Sequence, residues 1–396
     1  MRIKPEFSFD NLKIAFAHLK ITDLKRMQKL YRLMNYPFLV MTGVFLTKTF
    51  FQFGLSVKEP LKRTVFKQFC GGESFETCQK TINKLGSYGV SSILDYSVEG
   101  KEEENIFEAT MMEILNTIQK TGKNPLLPFA VFKVSGIAST SIMAKVQTNG
   151  ILFPEEEKQF DAARARFFLL CKAAANSGVK LMVDGEESWF QDITDSWMLE
   201  AMKLYNKKEA ILYNTFQMYR TNMEERLKDA HKKAVTGGFY LGAKLVRGAY
   251  MEKERKNARR MGYTDPIHST KEATDNAYNN ALNFCVKNIQ QISLVSGSHN
   301  ELSNKKLAEL IDLHGFERSD VRFYFSQLYG MGDHISFNLA KAGFNVAKYL
   351  PYGPVREVLP YLGRRIKENS GISGQISREQ ILVKKEIFRR KNLKIA

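Results

Sequence analysis

The sequence predicts an α/β protein, a distorted (β/α)8 barrel of the TIM type with an N-terminal helical arm. After residue 67, eight short apolar or β-branched runs alternate with helical stretches, which is typical of parallel βα units. They extend over roughly 280 residues, against about 250 for a typical barrel of this kind. Each run ends in polar residues, as strands that open onto a functional face do. An open doubly wound sheet is the alternative, but no run is followed by G-x-G-x-x-G.

The arm, residues 1–67, is basic and partly apolar. It holds thirteen Lys and Arg against four Asp and Glu, a charge of +9, and residues 378–396 hold seven against two, a charge of +5. Only +3 of the net +17 is therefore left for residues 68–377. Basic ends dock on phosphates or anionic lipid, or simply keep a chain soluble, and both remain open. No nucleic-acid partner is expected.

The first residues contain no compact apolar core and no small-residue cleavage site, so we expect no secretory signal. Acidic residues near the start argue against a mitochondrial transit peptide. The uncharged stretch 33–47 is interrupted by Asn35, Pro37 and Gly43, and its fifteen residues fall short of the ~20 that span a bilayer. Core packing or a monotopic membrane contact is expected there. The expected location is cytoplasmic, with peripheral contact at the inner face of the membrane, or the mitochondrial inner membrane in a eukaryote.

Eight strands are predicted next. They lie in residues 91–98, 129–137, 180–187, 210–216, 240–250, 293–299, 321–328 and 345–353. The polar groups at their ends are Asp95, Lys133, Asp184, Gln217, Lys244 with Arg247, Ser298 with His299, Gln327 and Tyr349. Residues 161–178, 279–291 and 331–344 are among the helical segments between them.

Two cations within apolar runs point to chemistry. Lys133 lies in "AVFKVS" and Lys244 in "LGAKLVRGAY". A buried ammonium needs an anionic partner, and Asp184 could serve one of the two. The alternative is an internal ion pair that only specifies the barrel interior.

The four cysteines form no C-x-x-C pair, so we expect buried thiols and neither a disulfide framework nor a metal site.

The last predicted strand is followed by a helix from Val355 to about residue 369, ended by Gly371. Its polar arc contains Glu357, Tyr361, Arg364, Arg365 and Glu368. This arc could be a solvated face with an ordinary i,i+4 ion pair. It could also be a clamp in which two guanidinium groups bind a carboxylate or phosphate. The position directly after strand eight favours the clamp, and with Lys133 it suggests a small anionic substrate.

The small residues Gly248 and Ala249 follow the fifth run and would let a bulky planar group, such as a flavin edge, approach the backbone.

The segments "KLVRGAYMEKE" and "YLPYGPVREVLPYLGRRIKEN" closely resemble the proline dehydrogenase family. The resemblance extends through "VDGEES", "YNTFQMY", "EATDNAY", "GSHNE" and "FSQLYGMGD", from about Val65 to Gly371. It is strongest to the single-function enzymes, including mitochondrial members. With the charge distribution, the predicted domains are the arm at 1–67, the barrel at 68–377 and a basic tail at 378–396, and the resemblance implies that the barrel binds FAD.

The resemblance implies FAD-dependent oxidation of L-proline to Δ1-pyrroline-5-carboxylate, the first step of proline catabolism. The hydride would pass to flavin N5 and the electrons to a membrane quinone. Two alternatives stay open: a flavin enzyme acting on another small cyclic amine or acid such as hydroxyproline, and a non-catalytic membrane or nucleic-acid binder that uses the basic arms.

The resemblance also implies residue roles. The carboxylate clamp corresponds to Lys133, Arg364 and Arg365, and the pocket walls to Leu328, Tyr349 and Tyr361. Asp184 corresponds to the acidic residue beside substrate and flavin, and Lys244 lies near the flavin's reactive edge, where many bacterial members have arginine. Lysine keeps the charge but loses the planar fork. The cofactor-binding positions are Gly185, Gln217, Arg247, Gly248, Ala249, Thr274, Ser298, His299 and Glu368.

Overall fold

The structure, a computed structural model, describes residues 7–34, 58–96, 103–371 and 373–393. Within helices it does not describe the side chains of Met34, Lys58 and residues 366–377. From residue 35 onward, the apolar stretch predicted to pack in the core or contact a membrane lies outside the described residues.

Eight parallel strands follow one another in chain order in a closed barrel, which confirms the predicted fold class. They are β1 Ser91–Tyr96, β2 Phe129–Lys133, β3 Lys180–Asp184, β4 Leu212–Gln217, β5 Leu241–Val246, β6 Ile292–Gly297, β7 Phe323–Leu328 and β8 Val346–Tyr352.

Helices precede and separate the strands. They are Leu12–Ala15, Ile21–Met34, Lys58–Leu61, Lys67–Phe69, Phe75–Gly86, Glu104–Thr121, Thr140–Gln147, Pro154–Asn176, Ser188–Tyr205, Met223–Gly237, Met251–Met261, Lys271–Lys287, Glu301–Leu313, Asp333–Lys341, Leu359–Gly371 and Ser373–Asn392. A π-helical turn, Lys62–Phe66, and a 3₁₀ turn, Val134–Gly136, complete the described elements. No helix among the described residues is long and apolar enough to cross a membrane.

The chain divides into two compact units, residues 100–326 and residues 1–99 with 327–396. In the first unit, the β2–β3 ladder ends with Lys133 opposite Asp184, and β4 pairs with β5 with Thr215 opposite Lys244. The strands are buried because helices cover them, which is why their sequences are continuous apolar runs rather than alternating ones.

In the second unit, β1 pairs with β8, and the first and last long helices pack on each other. Leu24 and Met27 of Ile21–Met34 share a buried cluster with Leu382 and Val383 of Ser373–Asn392. The Tyr31 hydroxyl donates to the Glu379 carboxylate at 2.9 Å. The helical arm is therefore part of a core that also contains the end of the chain.

The structure corrects two predicted boundaries. The second strand ends at Lys133 rather than near residue 137, because the backbone turns into the 3₁₀ segment Val134–Gly136. The helix after β8 begins at Leu359 rather than Val355. Pro360 lacks an N–H and its ring excludes a preceding helical turn, so it is tolerated only near the helix start. Gly371 ends that helix as predicted.

The four cysteines are free and buried, which confirms the prediction of buried thiols.

Candidate active site

Two largely buried lysines of the unit 100–326, Lys133 and Lys244, share one carboxylate. Lys244 Nζ lies 2.5 Å from Asp184 Oδ1, and Lys133 Nζ lies 3.6 Å from Asp184 Oδ2. Asp184 and Lys133 each keep 13% of their side chains exposed, and Lys244 keeps 7%. The sequence predicted a partner for one lysine, and the structure gives the same partner to both.

The next acidic residue on this loop is also buried. Glu186 is 4% exposed, and its carboxylate accepts from the Ser135 N–H at 2.9 Å and from the Ser135 hydroxyl at 2.5 Å. Burial raises the pKa of Glu186 to about 7, although the two Ser135 hydrogen bonds and Lys133 act against the shift. In the sequence this glutamate lies two residues after Asp184, but nothing there pointed to Ser135.

Gln217, at the end of β4, packs against Gly185, which follows β3. Gln217 Nε2 donates to the Glu186 carbonyl at 2.6 Å, and Gln217 is 1% exposed. A Cβ added to Gly185 would lie 3.1 Å from the Gln217 side chain. Both residues belong to the set assigned to the cofactor, and the structure brings them together.

Arg247 is the centre of a second polar group. Its Nε donates to Asp275 Oδ1 at 2.7 Å, its Nη1 to Ser298 Oγ at 2.8 Å and its Nη2 to Ser303 Oγ at 3.0 Å. Its guanidinium also lies 4.5 Å from the centre of the Tyr278 ring. Burial alone would raise the pKa of Asp275, but hydrogen bonds from Lys271 and Arg247 hold that pKa below its usual value.

The remaining predicted cofactor residues of this unit occupy loops and a helix start. Gly248 has φ +130°, and a Cβ there would lie 2.6 Å from the Tyr219 ring. Ala249 is exposed and His299 is half-buried. Thr274 stands in the first turn of Lys271–Lys287 and is 9% exposed.

Five predicted substrate residues belong to the other unit. Tyr349, in β8, is 6% exposed and Leu328, at the end of β7, is half-buried. On the helix Leu359–Gly371, Arg365 is 8% exposed and Tyr361 is 5% exposed. The Arg365 guanidinium lies 5.3 Å from the centre of the Tyr361 ring, and Arg364 is half-buried.

The backbone of Glu368 lies in the same helix, and its side chain is outside the described residues.

A third buried lysine escaped the sequence prediction. Lys348 of β8 is fully buried, and its Nζ lies 2.8 Å from Asp333 Oδ1. His18 Nε2 lies 3.2 Å from the other oxygen of Asp333. The signal that singled out Lys133 and Lys244, a lysine in an apolar run, is equally present in "NVAKYL".

The residues around Arg247 fit an anionic, planar cofactor. The Arg247 side chain is 23% exposed, and among the described residues only three of its five N–H groups have the acceptors named above, which leaves donor capacity for a ligand. At Gly248 the Tyr219 ring fills the position where a side chain would begin, so only glycine fits there. A partly exposed guanidinium with unused N–H groups is suited to the phosphates of such a cofactor.

Comparison with known proteins decides the family. The sequence model described as "Proline dehydrogenase" matches residues 78–378. The chain belongs to the proline dehydrogenase family. This confirms the resemblance found in the sequence motifs.

Two relatives illustrate the range of the family. "Proline dehydrogenase 1, mitochondrial" of Drosophila melanogaster is 35% identical over 359 residues, which are 85% of this chain and 51% of the fly protein. The "Carbapenem antibiotics biosynthesis protein CarD" of Pectobacterium carotovorum subsp. carotovorum is 34% identical over 322 residues, 81% of this chain and 83% of that protein. The chain thus spans about half of the fly relative and most of the bacterial one.

A solved structure shows the same fold. Proline utilization A (PutA) from Bdellovibrio bacteriovorus, inactivated by N-propargylglycine, superposes with a TM-score of 0.71 at 18% identity. The match covers 93% of this chain and 37% of the PutA chain.

Proposed function

We propose that this member of the family oxidises L-proline to Δ1-pyrroline-5-carboxylate with bound FAD and passes the electrons to a membrane quinone. The observation that carries the proposal is the Asp184 carboxylate shared by Lys133 and Lys244. The Lys133 and Asp184 side chains are partly exposed there, so a ligand carboxylate could approach the two ammonium groups. A substrate carboxylate would complete this arrangement.

The carboxylate of proline would be bound by Lys133, Arg364 and Arg365. The low exposure of Arg365 and its stacking on Tyr361 support this role, because a desolvated, oriented guanidinium binds a carboxylate more strongly than a solvated one. Binding the carboxylate orients the ring carbon that loses hydrogen, and this orientation is the main contribution that side chains make.

The ring of proline would pack against Tyr349, Tyr361 and Leu328. The two tyrosines are almost completely buried, so their rings have fixed positions. A fixed apolar wall excludes water and restricts the substrate to one orientation.

FAD, when bound, supplies the two-electron acceptor that no side chain can provide. Its binding residues would be Gly185, Gln217, Arg247, Gly248, Ala249, Thr274, Ser298, His299 and Glu368. Arg247 is held by Asp275 and Ser298 and would present its cationic edge to the phosphates. Lys244 and Asp184 would hold fixed charges beside the reacting groups, with Lys244 favouring negative charge.

Peripheral contact with a membrane would bring the chain to its quinone. One face of the helix Ser373–Asn392 exposes Ile381 and Phe388, at 47% and 66%, together with Lys384, Lys385 and Lys391. Exposed apolar side chains among lysines are what a helix needs to lie on an anionic lipid surface. We therefore expect binding to anionic but not to zwitterionic vesicles, and Phe388→Asp should abolish it while Leu313→Asp, a change at another exposed apolar residue, should not.

The experiment that tests the activity is anaerobic mixing of the purified protein with L-proline. Loss of the oxidised flavin absorbance, together with formation of Δ1-pyrroline-5-carboxylate, supports the proposal. If another cyclic amine or acid bleaches the flavin and L-proline does not, L-proline is not the substrate and the other compound is. If the protein neither purifies with nor binds a flavin, and binds polyanions in a salt-sensitive way, the proposed activity is wrong. The non-catalytic binding function would then be favoured.

A further inference from the structure

Side chains connect β2 and β3 just beyond the last pair of their ladder. The ladder ends with Lys133 opposite Asp184. Two residues further along each strand, the Ser135 N–H and hydroxyl both donate to the Glu186 carboxylate, at 2.9 and 2.5 Å. Two hydrogen bonds from one residue to one carboxylate fix its position in the way a bidentate pair does.

Glu186 is itself held by its backbone. Its N–H donates to Gln191 Oε1 at 2.8 Å, and its carbonyl accepts from Gln217 Nε2 at 2.6 Å. The residue is 4% exposed. The backbone of Glu186 is therefore held by two glutamine side chains and its carboxylate by Ser135.

Charged side chains act on this carboxylate. Lys133 and Glu187 act on it electrostatically, and Glu187 is paired with Lys253 at 2.5 Å. With Glu186 ionised, the two lysines Lys133 and Lys244 are balanced by Glu186 and Asp184. With Glu186 protonated, the same four residues carry one net positive charge.

We propose that Glu186, held by Ser135, sets through its own protonation how strongly Lys133 attracts a substrate carboxylate. The inference rests on the proposed function, since it takes Lys133 as a carboxylate-binding residue. Glu186 is a positioning residue in this account, because it acts through Lys133.

The direction of the effect follows from burial. Because burial raises the pKa of Glu186 to about 7, the group loses its proton near neutral pH. The affinity for an anion at Lys133 should then fall as the pH rises through this range. Removing the Ser135 hydroxyl takes away a hydrogen bond that favours the charged form, so the fall should shift to higher pH.

The probe is cyclopentanecarboxylate, which has the ring and carboxylate of proline but no amine that titrates. Its dissociation constant from the flavin-loaded protein is measured by the change in the flavin spectrum from about pH 6 to about pH 8.5, where the probe stays ionised. We expect the wild-type affinity for the probe to fall roughly 3- to 30-fold across this range. An effect of this size is expected from one unit charge that lies near the bound carboxylate but not in contact with it. The Glu186→Gln variant should bind the probe at every pH with the affinity that the wild type has at about pH 6.

Two further variants keep the result interpretable. Ser135→Ala should move the midpoint of the fall to higher pH, a change that loss of packing alone would not produce. Glu157→Gln, a change at an exposed acid in another helix, should behave as wild type. If the Glu186→Gln variant no longer binds flavin, the midpoint of the fall in affinity measured with Ser135→Ala tests the proposal by itself.

Two outcomes separate this inference from the proposed function. If Lys133→Met leaves the affinity for cyclopentanecarboxylate unchanged, Lys133 does not bind carboxylates and the proposed function loses its main support. If Lys133→Met weakens binding but neither Glu186→Gln nor Ser135→Ala changes the pH dependence, only the role of Glu186 is overturned. The role of Glu186 would also be overturned if Glu186→Gln lowered the melting temperature but kept the wild-type pH dependence of the affinity. The residue would then be purely structural.

Discussion

Two lysine–aspartate clusters in the molecule use the same chemistry in different environments. Around Asp184, the side chains of Lys133 and Asp184 are each 13% exposed. Around Asp333, Lys348 is fully buried and Asp333 is 7% exposed. Lys348 Nζ also donates to the Leu328 carbonyl at 3.4 Å and to the Met331 carbonyl, and His18 pairs with the remaining oxygen of Asp333.

The difference teaches how a buried ion pair can be assigned a role. All three donors of the Lys348 ammonium have protein acceptors within a sealed region, so this cluster can only stabilise and specify the fold. The Asp184 cluster is partly exposed and brings two ammonium groups together, so an anion can approach them. Burial of a lysine in an apolar run is therefore not a functional signal until its partners and exposure are known.

The largest expected effect is on stability. Lys348→Met should lower the free energy of unfolding by about 3–5 kcal/mol, because it leaves a buried carboxylate without its main partner. Lys133→Met should cost much less, since Asp184 keeps Lys244. Denaturant unfolding measures both, with Lys341→Met, a change at an exposed lysine, as the control expected within about 0.5 kcal/mol. Equal losses for Lys348→Met and Lys133→Met would remove the distinction between the clusters.

The buried carboxyl groups of Glu186 and Asp333 should also contribute to stability with opposite pH dependence. The pKa of Glu186 is raised from 4.5 to about 7 by burial, so its contribution to stability falls as the pH rises from about 4.5 to about 7, by about 3 kcal/mol. For Asp333, burial would raise the pKa, but Lys348 and His18 more than offset burial and hold it well below its usual value. Its contribution is present above pH 3.8 and is lost as the pH falls. Unfolding curves of wild type and Glu186→Gln at several pH values measure this, and identical curves would contradict it.

A smaller effect is expected on substrate use. Lys133→Met and Arg365→Met should each lower kcat/KM for L-proline by about 10- to 150-fold, as for one lost charge-assisted contact, while flavin stays bound. Steady-state kinetics and the flavin-to-protein absorbance ratio check both parts. The matched control is Lys305→Met, a change at an exposed lysine. An unchanged kcat/KM in either variant would assign that residue to structure, as Lys348 is.

The smallest effect concerns substrate choice. Tyr361 is buried under Arg365 and has little freedom to move aside, so a 4-hydroxyl on the substrate ring should be disfavoured. We expect kcat/KM for 4-hydroxy-L-proline to be about 10-fold or more below that for L-proline. Tyr361→Ala should narrow this ratio, whereas Tyr263→Ala, a change at an exposed tyrosine, should leave it unchanged. Comparable kcat/KM values in the wild type would rule out this role for Tyr361.

Much of the candidate site was predictable because its signals are local. A lysine within an apolar run and a proline–glycine turn before a helix are visible over a few residues, and these signals led to the prediction of Lys133, Lys244 and the arginine pair. Ser135 was not found, because its only distinguishing property is the Glu186 carboxylate 51 residues away. The helix start was placed too early because the apolar spacing from Val355 outweighed the effect of Pro360.

The sequence by itself determined the alternation of strands and helices, the buried thiols and the position of charged residues within apolar runs. These follow from hydrophobic periodicity and from the cost of burying charge, both of which act over short segments. Only the tertiary structure decided that Asp184 serves two lysines, that Ser135 holds Glu186 and that Lys348 is sealed with Asp333 and His18. Those pairings depend on strand register and on contacts between distant segments, and no local pattern encodes them.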